Sequence, residues 1–210
     1  GTAGTLRLSR VRESQDAAHT APQLHSDVVE LELFTRRFES VVGEMGSLLE
    51  RTALSTNVKE RLDFSCALLD AKGELIANAP HIPVHLGALG VCVRKVSETV
   101  DWEPGDVVVT NHPGFGGSHL PDVTVISPVF QTATDASQAP QLLGFVANRA
   151  HHAEIGGKRP GSMPPDAQSL AEEGVVLEPF VLFRRGEARF GELGKILGGG
   201  AYPSRRIEEN

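Results

Sequence analysis

The stretch GGSHLPDVTVISPVF, residues 116–130, joins a glycine-rich loop to a His-x-x-Asp motif and then to an apolar strand. Glycines allow the backbone to turn tightly and to approach a ligand, and the residues from 123 onward are typical of a β-strand. His119 and Asp122 stand where the loop ends, linked through the stiff Pro121. A nitrogen and an oxygen donor so placed suit a divalent cation such as zinc or manganese. The motif is short, and by itself a structural role for both side chains is the more common interpretation.

A second polar cluster, RAHHAE at residues 149–154, follows another strand-like segment. Adjacent side chains at the end of a strand point to opposite faces of the sheet. One of His151 and His152 can therefore bind a cation while the other faces a substrate or supports the first. If the two strands are neighbours, His119, Asp122 and His151 converge at one end of the sheet. The spacing alone leaves a metal site and a pair of solvated histidines as equal alternatives.

Two segments further upstream also contain clusters of charged residues or histidines. The charged residues KERLD, at 59–63, stand immediately before an apolar strand, and the simpler interpretation is a solvated connection between helix and strand. The segment HIPVH, at 81–85, brings His81 and His85 close together in the chain. Its proline predicts a rigid loop with two partly exposed histidines.

Apolar periodicity predicts two helices. The first begins at Asp27, with Glu30 three positions on in a capping-box pattern, and runs to about residue 53. Its apolar residues recur at helical spacing: Leu31, Phe34, Phe38, Val41, Met45, Leu48 and Leu49. One face of this helix is expected to pack on a core. The second helix is predicted over residues 86–100.

The remaining periodic segments are short and strand-like. Strands are predicted at 64–69, 74–77, 106–110, 123–130 and 142–148, with a turn at 70–73 and an extended segment at 175–183. Residues 131–140 are expected to form a mobile surface loop, and 169–174 a short capped helical turn. Strands alternating irregularly with two helices favour an α+β fold, with a mixed sheet and a long N-terminal helix. Residues 1–23 are interpreted as a disordered arm or linker, which leaves 24–210 as the folded part.

The composition excludes several classes of protein. The formal net charge of the 210 residues is -7 at pH 7, which argues against a nucleic-acid or anionic-membrane surface. No apolar run is long enough to span a bilayer. Cys66 and Cys92 lie in apolar stretches, as expected of buried thiols in a cytoplasmic protein. The sequence lacks a phosphate-binding loop, a dinucleotide fingerprint and a nucleophile elbow, so no nucleotide site is expected in these residues.

Several longer motifs, in a fixed order along the chain, resemble signatures of the hydantoinase B/oxoprolinase family. They are NVKERLDFSCA (57–67), APHIPVHLG (79–87), GSHLPD (117–122), HHAEIGG (151–157), PGSMP (160–164) and EEG (172–174). The resemblance covers about residues 28–210, and the NHP at 111–113 points to 5-oxoprolinase-type members. Family versions of this region are much longer, so the resemblance implies that residues 24–210 form the N-terminal part of a larger domain.

The resemblance implies an ATP-dependent hydrolase of cyclic amides such as 5-oxoproline or hydantoins. A hydantoinase A-like subunit or domain is then expected to bind ATP and phosphorylate the substrate, in a hetero-oligomer. The half seen here carries a divalent metal, zinc or manganese, and the implied ligands are Asp63, His119, Asp122 and His151. The chain alone is then an incomplete enzyme. The alternatives are a non-catalytic, metal-stabilised subunit that docks an ATP-using partner, an acetone carboxylase-like subunit, or a scaffold without metal.

Catalytic roles are predicted from residue type and from closeness to these motifs. A bound cation lowers the pKa of a water molecule or polarises the substrate oxygen. His152 or Glu154 is the candidate general base. Arg61 is the candidate for a bidentate contact with a substrate carboxylate. Family members often carry aspartate where Glu154 stands, which leaves the role of that carboxylate open.

Overall fold

The computed structural model describes residues 23–80, 82–131 and 139–208. The arm expected at 1–23 lies outside this part except for its last residue, which is already helical. Most of the surface loop expected at 131–140 also lies outside it, as does His81. None of the helices in the described ranges has the length and apolar character that crossing a bilayer requires.

A seven-stranded antiparallel sheet forms the centre of the structure, in the order β2-β1-β5-β4-β3-β6-β7. The strands are β1 (Phe64–Asp70), β2 (Leu75–Pro80), β3 (Val107–Thr110), β4 (Asp122–Phe130), β5 (Leu142–His151), β6 (Phe180–Arg184) and β7 (Glu187–Ala188). The helices are α1 (Gln23–Thr52), α2 (Thr56–Arg61), α3 (Pro83–Ser97), α4 (Leu170–Glu173) and α5 (Phe190–Leu197), with a 3-10 turn at Pro113–Phe115. The predicted α+β class and the long N-terminal helix are confirmed, whereas the predicted mixed sheet is wrong, because all pairings between the described strands are antiparallel.

The helix α3 covers one face of the sheet and forms its main core. Side chains alternate between the two faces of each strand, and one set packs with α3 to exclude water. Its buried members are Ala67, Leu69, Leu89, Cys92, Val93, Val96, Val108, Ile126, Phe145 and Ala147. The same alternation places Asp122 and His151 on this face, two rows beyond the apolar pair Ile126 and Ala147. The alternation of the strands therefore places the apolar core and the polar side chains at the end of the sheet on the same face.

The start of α3 differs from the prediction. Residues up to His85 were expected to form a loop, but the helix begins at Pro83. Proline is well tolerated at the first position of a helix, where its missing N–H has no intrahelical partner. The prediction of a partly exposed His85 is wrong, because the first turn of α3 buries this side chain to 1% exposure.

The opposite face of the sheet is covered by two separate groups of residues. The end of α1 and the short α2 pack over Phe64, Cys66 and Ala150. The chain after residue 155 packs over the neighbouring strands, with Val109 and Val123 among the buried residues. Between the two groups, an open cavity of about 220 Å³ reaches the sheet.

The long helix α1 was predicted with the wrong start and with too much of its surface buried. It begins at Gln23 rather than at a capping Asp27, because residues 23–26 contain no glycine or proline to end it. The predicted packing on a core holds only for its C-terminal half, where Val42 is fully buried. We call four exposed side chains of the predicted apolar face the α1 stripe: Leu31, Phe34, Val41 and Leu48.

Candidate metal centre

Three side chains with metal-binding atoms converge at one end of the sheet. Asp122 is the first residue of β4 and faces His151, the last residue of β5, in the antiparallel register. A turn closed by a hydrogen bond from the Asp122 N–H to the His119 carbonyl, 2.9 Å long, brings His119 back to the same place. One ligand atom from each of the three lies within 4.8 Å of the others. The convergence expected from the pairing of the two strands is confirmed.

The three ligand atoms form a nearly equilateral triangle. Nδ1 of His151 lies 3.0 Å from Oδ1 of Asp122. Nε2 of His119 lies 3.3 Å from the same oxygen and 2.9 Å from the His151 nitrogen. Tetrahedral ligation with bonds of about 2.0–2.1 Å sets ligand atoms roughly 3.3 Å apart. The spacing and the mixed nitrogen and oxygen donors therefore fit a zinc- or manganese-like cation.

The site has one closed side and one open side. Asp122 is fully buried, whereas the side chain of His119 is 35% exposed. His151 lies between these extremes, at 13%. The exposed side of the triangle is therefore the side of His119.

Asp122 is held as a carboxylate by several donors. Burial alone raises the pKa of its carboxyl, but hydrogen bonds to His151, His85 and Ser118 outweigh burial and hold that pKa well below its usual range. A buried carboxylate that accepts several hydrogen bonds stays ionised at neutral pH. Asp122 therefore presents the charged form that a divalent cation needs.

The His119 ring is favoured in its neutral form. Burial lowers the pKa of its imidazole below the ordinary value, and the neighbouring histidines act in the same direction. The carboxylates of Asp122 and Asp63 oppose this shift without reversing it. A neutral imidazole offers a free lone pair, which is the form that binds metals.

Asp63 lies next to this group at the start of β1. Its backbone carbonyl accepts a hydrogen bond from the His151 N–H at 3.0 Å, and its own N–H donates to the Asn57 carbonyl. Leu62, immediately before it, takes a left-handed conformation with φ 53° to turn the chain from α2 into the strand. In the described part of the chain, the group within 4.8 Å does not include the Asp63 carboxylate. Its role as the fourth ligand stays a prediction.

The two adjacent histidines face opposite sides of the sheet, as predicted. His151 points to the metal-site face, whereas His152 lines the 220 Å³ cavity on the other face, together with Val123, Val125 and Ala150. The backbone N–H of His152 donates to the Pro121 carbonyl at 2.8 Å. This contact ties the end of β5 to the His-x-x-Asp turn, while the catalytic role of His152 stays a prediction.

Glu154 is engaged in anchoring contacts. Its Oε1 accepts hydrogen bonds from the Ser204 hydroxyl at 2.5 Å and from the backbone N–H groups of Arg205 and Arg206 at 2.8 and 3.1 Å. Its Oε2 accepts from the Gly156 N–H at 2.9 Å. The residue is 8% exposed. These contacts bind the C-terminal residues to the loop after β5, and a catalytic role for Glu154 stays a prediction.

Arg61, the third catalytic candidate, is the last residue of α2 and is exposed. It lies two positions before Asp63, on the connection that leads into β1. The predicted contact with a substrate carboxylate stays untested, but the side chain is open to solvent.

Sequence reasoning missed a polar group behind the metal-binding triangle. Nε2 of the buried His85 lies 3.3 Å from Oδ2 of Asp122, and the Ser118 hydroxyl donates to the same oxygen. Ser65 on β1 contacts the other nitrogen of His85 at 3.2 Å. The signal for His85 is Pro83, because proline often starts a helix. A helix that begins there places His85 in its first turn, beside the sheet.

Arg149 is a second residue that sequence reasoning left unassigned. Its side chain is fully buried, and its Nε donates to the Thr124 hydroxyl at 2.7 Å. Its Nη2 donates to the Gly116 carbonyl at 2.9 Å, which fastens the glycine-rich loop to β5. Within the described ranges, Nη1 has no hydrogen-bond partner. The arginine thus supports the loop that delivers Ser118 and His119.

An antiparallel sheet with two histidines and an aspartate gathered at the end of two paired strands defines an α+β domain with a candidate divalent-metal site. The chain belongs to the Hydantoinase B/oxoprolinase family, whose model matches residues 27–203. Similar proteins include the 5-oxoprolinase of Saccharomyces cerevisiae, which is 44% identical over 95% of this chain. The 5-oxoprolinase 1 of Arabidopsis thaliana is 45% identical over 88% of it. The chain spans 16% and 15% of these two relatives, respectively.

Two solved structures share the fold. The ATP-dependent caprolactamase from Pseudomonas jessenii superposes with a TM-score of 0.70 at 26% sequence identity, over 91% of this chain and 31% of that one. The nucleotide-free structure of acetone carboxylase also has a TM-score of 0.70, over 82% of this chain and 22% of that one. At 18% identity, the second likeness shows the fold alone. The fold therefore occurs within much longer polypeptides.

Proposed function

We propose that this chain is the metal-binding part of an ATP-dependent cyclic-amide hydrolase of the 5-oxoprolinase or hydantoinase type. The observation that carries the proposal is the convergence of His119, Asp122 and His151 on one point. Family membership and relatives named 5-oxoprolinase support the reaction class. The solved relative that acts on caprolactam supports a cyclic amide as the substrate type.

The three converging side chains, with Asp63 as the proposed fourth ligand, would hold a zinc or manganese ion. Bound there, such a cation would lower the pKa of a water molecule towards neutrality or polarise the substrate oxygen. The chain prepares this chemistry by keeping Asp122 ionised and His119 neutral. The exposed side of His119 leaves room for water and substrate to approach.

An unstrained cyclic amide is a poor electrophile, so we assign ATP the role of activating it. Phosphorylation of the amide oxygen creates an imidate-like substrate with a good leaving group. Water adds to the amide carbon, and the tetrahedral intermediate then breaks the ring C–N bond as the nitrogen takes up a proton. A second water molecule cleaves the resulting acyl phosphate, which releases inorganic phosphate and the free carboxylate. Because this sequence lacks nucleotide-binding motifs, we assign ATP binding to a hydantoinase A-like subunit or domain. A cytoplasmic hetero-oligomer follows as part of the same proposal.

The three catalytic candidates receive unequal support from their contacts. His152 borders the 220 Å³ cavity, which lies across the sheet from the triangle. Arg61 is exposed and free to meet a carboxylate such as that of 5-oxoproline. Glu154 already accepts four hydrogen bonds from its own chain. Because a general base must lie within hydrogen-bond reach of the reacting water, the position of His152 across the sheet does not favour it for proton transfer at the triangle, and we give Glu154 a supporting role.

Metal analysis of the purified chain tests the first half of the proposal. We expect about one divalent ion per chain, and its loss in the variants His119→Ala, Asp122→Asn and His151→Ala. The control is His112→Ala, which removes a histidine whose Nε2 lies 3.3 Å from Glu178 and outside the triangle. Unchanged metal content in the three ligand variants would refute the centre.

An activity assay on the complete protein tests the second half. ATP-dependent release of the ring-opened product from 5-oxoproline should disappear in the His119→Ala variant. If that variant loses its metal and keeps full activity, the centre is structural and the catalytic proposal fails. Caprolactam and a hydantoin, tested in the same way, identify the substrate class.

A further inference from the structure

The two oxygens of the Asp122 carboxylate serve different partners. Oδ1 faces the ligand nitrogens of His119 and His151, at 3.3 and 3.0 Å. Oδ2 points away from them, towards His85 and the Ser118 hydroxyl. A carboxylate can bind a cation through one oxygen or through both. In this arrangement, only Oδ1 is available to a cation in the triangle.

His85 is fixed in place from two directions. It is 1% exposed and projects from the first turn of α3, with Nε2 3.3 Å from Oδ2 of Asp122. On its other side, Nδ1 lies 3.2 Å from the hydroxyl of Ser65, which is itself fully buried. That hydroxyl also lies 3.3 Å from the carbonyl of Ile82, the residue before α3. The strand β1 thus holds the ring against the carboxylate.

The hydrogen-bonding roles follow from the chemistry of the groups. An ionised carboxylate only accepts hydrogen bonds, so Nε2 of His85 carries the proton that it shares with Asp122. The Ser65 hydroxyl lies between Nδ1 of the ring and the Ile82 carbonyl, and its single proton can serve only one of these two partners. The order Ser65, His85, Asp122 is a buried relay of contacts that reaches the metal site from behind.

We propose that His85, backed by Ser65, is a positioning residue that occupies Oδ2 of Asp122 and restricts this ligand to one-oxygen binding of the cation. The inference rests on the metal centre proposed above. Partners that orient a metal ligand typically change metal affinity 10- to 100-fold when they are removed. Because Ser118 also holds Oδ2, the loss of His85 alone should lie near the lower end of that range.

The test measures zinc affinity of the full chain by competition with a chelating dye. We expect His85→Leu to weaken zinc binding about 10-fold or more, and His85→Gln, which keeps an N–H donor, to stay within about threefold of the unchanged chain. The matched control is Val93→Ala, which removes a buried contact from the same helix without touching the carboxylate. It should lower thermal stability and leave zinc affinity unchanged.

A spectroscopic measurement reports the binding mode itself. In the cobalt(II)-loaded protein, release of Oδ2 raises the coordination number, and the visible d–d absorption then weakens. We expect this weakening in His85→Leu, its absence in His85→Gln and an intermediate spectrum in Ser65→Ala. A structural role for His85 alone would lower stability in the leucine variant without changing this spectrum.

The outcomes separate the inference from the proposed function. If the unchanged chain binds neither zinc nor cobalt, the metal centre fails. If it binds both, and folded His85→Leu binds with equal affinity and an equal spectrum, only the positioning role is overturned. A glutamine variant as weak as the leucine variant also overturns it. If His85→Leu does not fold, Ser65→Ala decides: weaker zinc binding supports the relay, and unchanged binding refutes it.

Discussion

Replacement of Glu154 tests whether its carboxylate anchors the chain or takes part in catalysis. Four donors converge on its two oxygens, two of them from the buried Ser204 and Gly156. A buried donor that loses its partner costs about 1–3 kcal/mol. The backbone N–H groups of Arg205 and Arg206 belong to exposed residues and regain water. Glu154→Ala should therefore lower the free energy of unfolding by about 2–6 kcal/mol.

The glutamine variant should show a smaller effect. Its amide oxygen can still accept the three hydrogen bonds made by Oε1, but its NH₂ group then faces the Gly156 N–H, and two donors oppose each other. The expected loss is about 1–3 kcal/mol. Urea denaturation at pH 7 measures both variants. Hydrogen exchange at the Arg205 and Arg206 amides shows whether the C-terminal segment has been released.

The effect of Glu154 on stability should also depend on pH. Burial raises the pKa of its carboxyl, but the hydrogen bonds from Ser204, Gly156 and the two following arginine amides lower it further than burial raises it. A lowered folded-state pKa gives a contribution that is complete above the unfolded value of about 4.3 and is lost as the pH falls through the folded value. The difference between the unchanged chain and Glu154→Gln should therefore shrink below about pH 4. Variants with unchanged stability and exchange, but without activity in the complete protein, would refute the anchoring role.

Three further results are expected. Gly144→Ala places a methyl group on the carbonyl of Leu69 in the paired strand, and chemical denaturation should show a loss of about 1–3 kcal/mol; an unchanged midpoint would contradict the register. Zinc at about 100 times its Kd should stabilise the chain by roughly 2.7 kcal/mol, which calorimetry detects as a rise in Tm of about 5–10 °C that a chelator reverses; a Tm insensitive to zinc would count against the centre. Burial raises the pKa of Cys66 to about 11, so a disulfide reagent at pH 8 should modify this thiol only after denaturation; rapid reaction of the folded chain would disprove its burial.

The pairing of the metal ligands was predictable because it depends on local pattern. Two apolar strands of similar length, each bordered by ligand-type residues, form neighbours in an antiparallel sheet and bring Asp122 opposite His151. The turn from His119 to Asp122 is local as well. The opposite orientations of His151 and His152 follow from strand alternation alone.

The contacts behind Asp122 were not predictable from local pattern. His85 and Ser65 are 20 positions apart, and both become buried only when α3 packs on the sheet. The HIPVH segment carries a proline that starts a helix as readily as it stiffens a loop. A loop was predicted, and His85 was therefore expected to be exposed. The predicted start of α1 was wrong for a related reason, because Asp27 is a good cap only where the helix has not already begun.

The α1 stripe has a consequence for the behaviour of this chain in water. Leu31 and Leu48 are 68% and 55% exposed, on the same side of the helix as Phe34 and Val41. Covering each such half-exposed side chain is worth about 1 kcal/mol, so contact between the helices of two molecules becomes favourable as concentration rises. Sedimentation of the isolated chain should therefore show reversible self-association, which a glutamate at Leu31 or Leu48 would reduce. The chain is therefore expected to stay monomeric only when it is dilute or when another surface covers this helix.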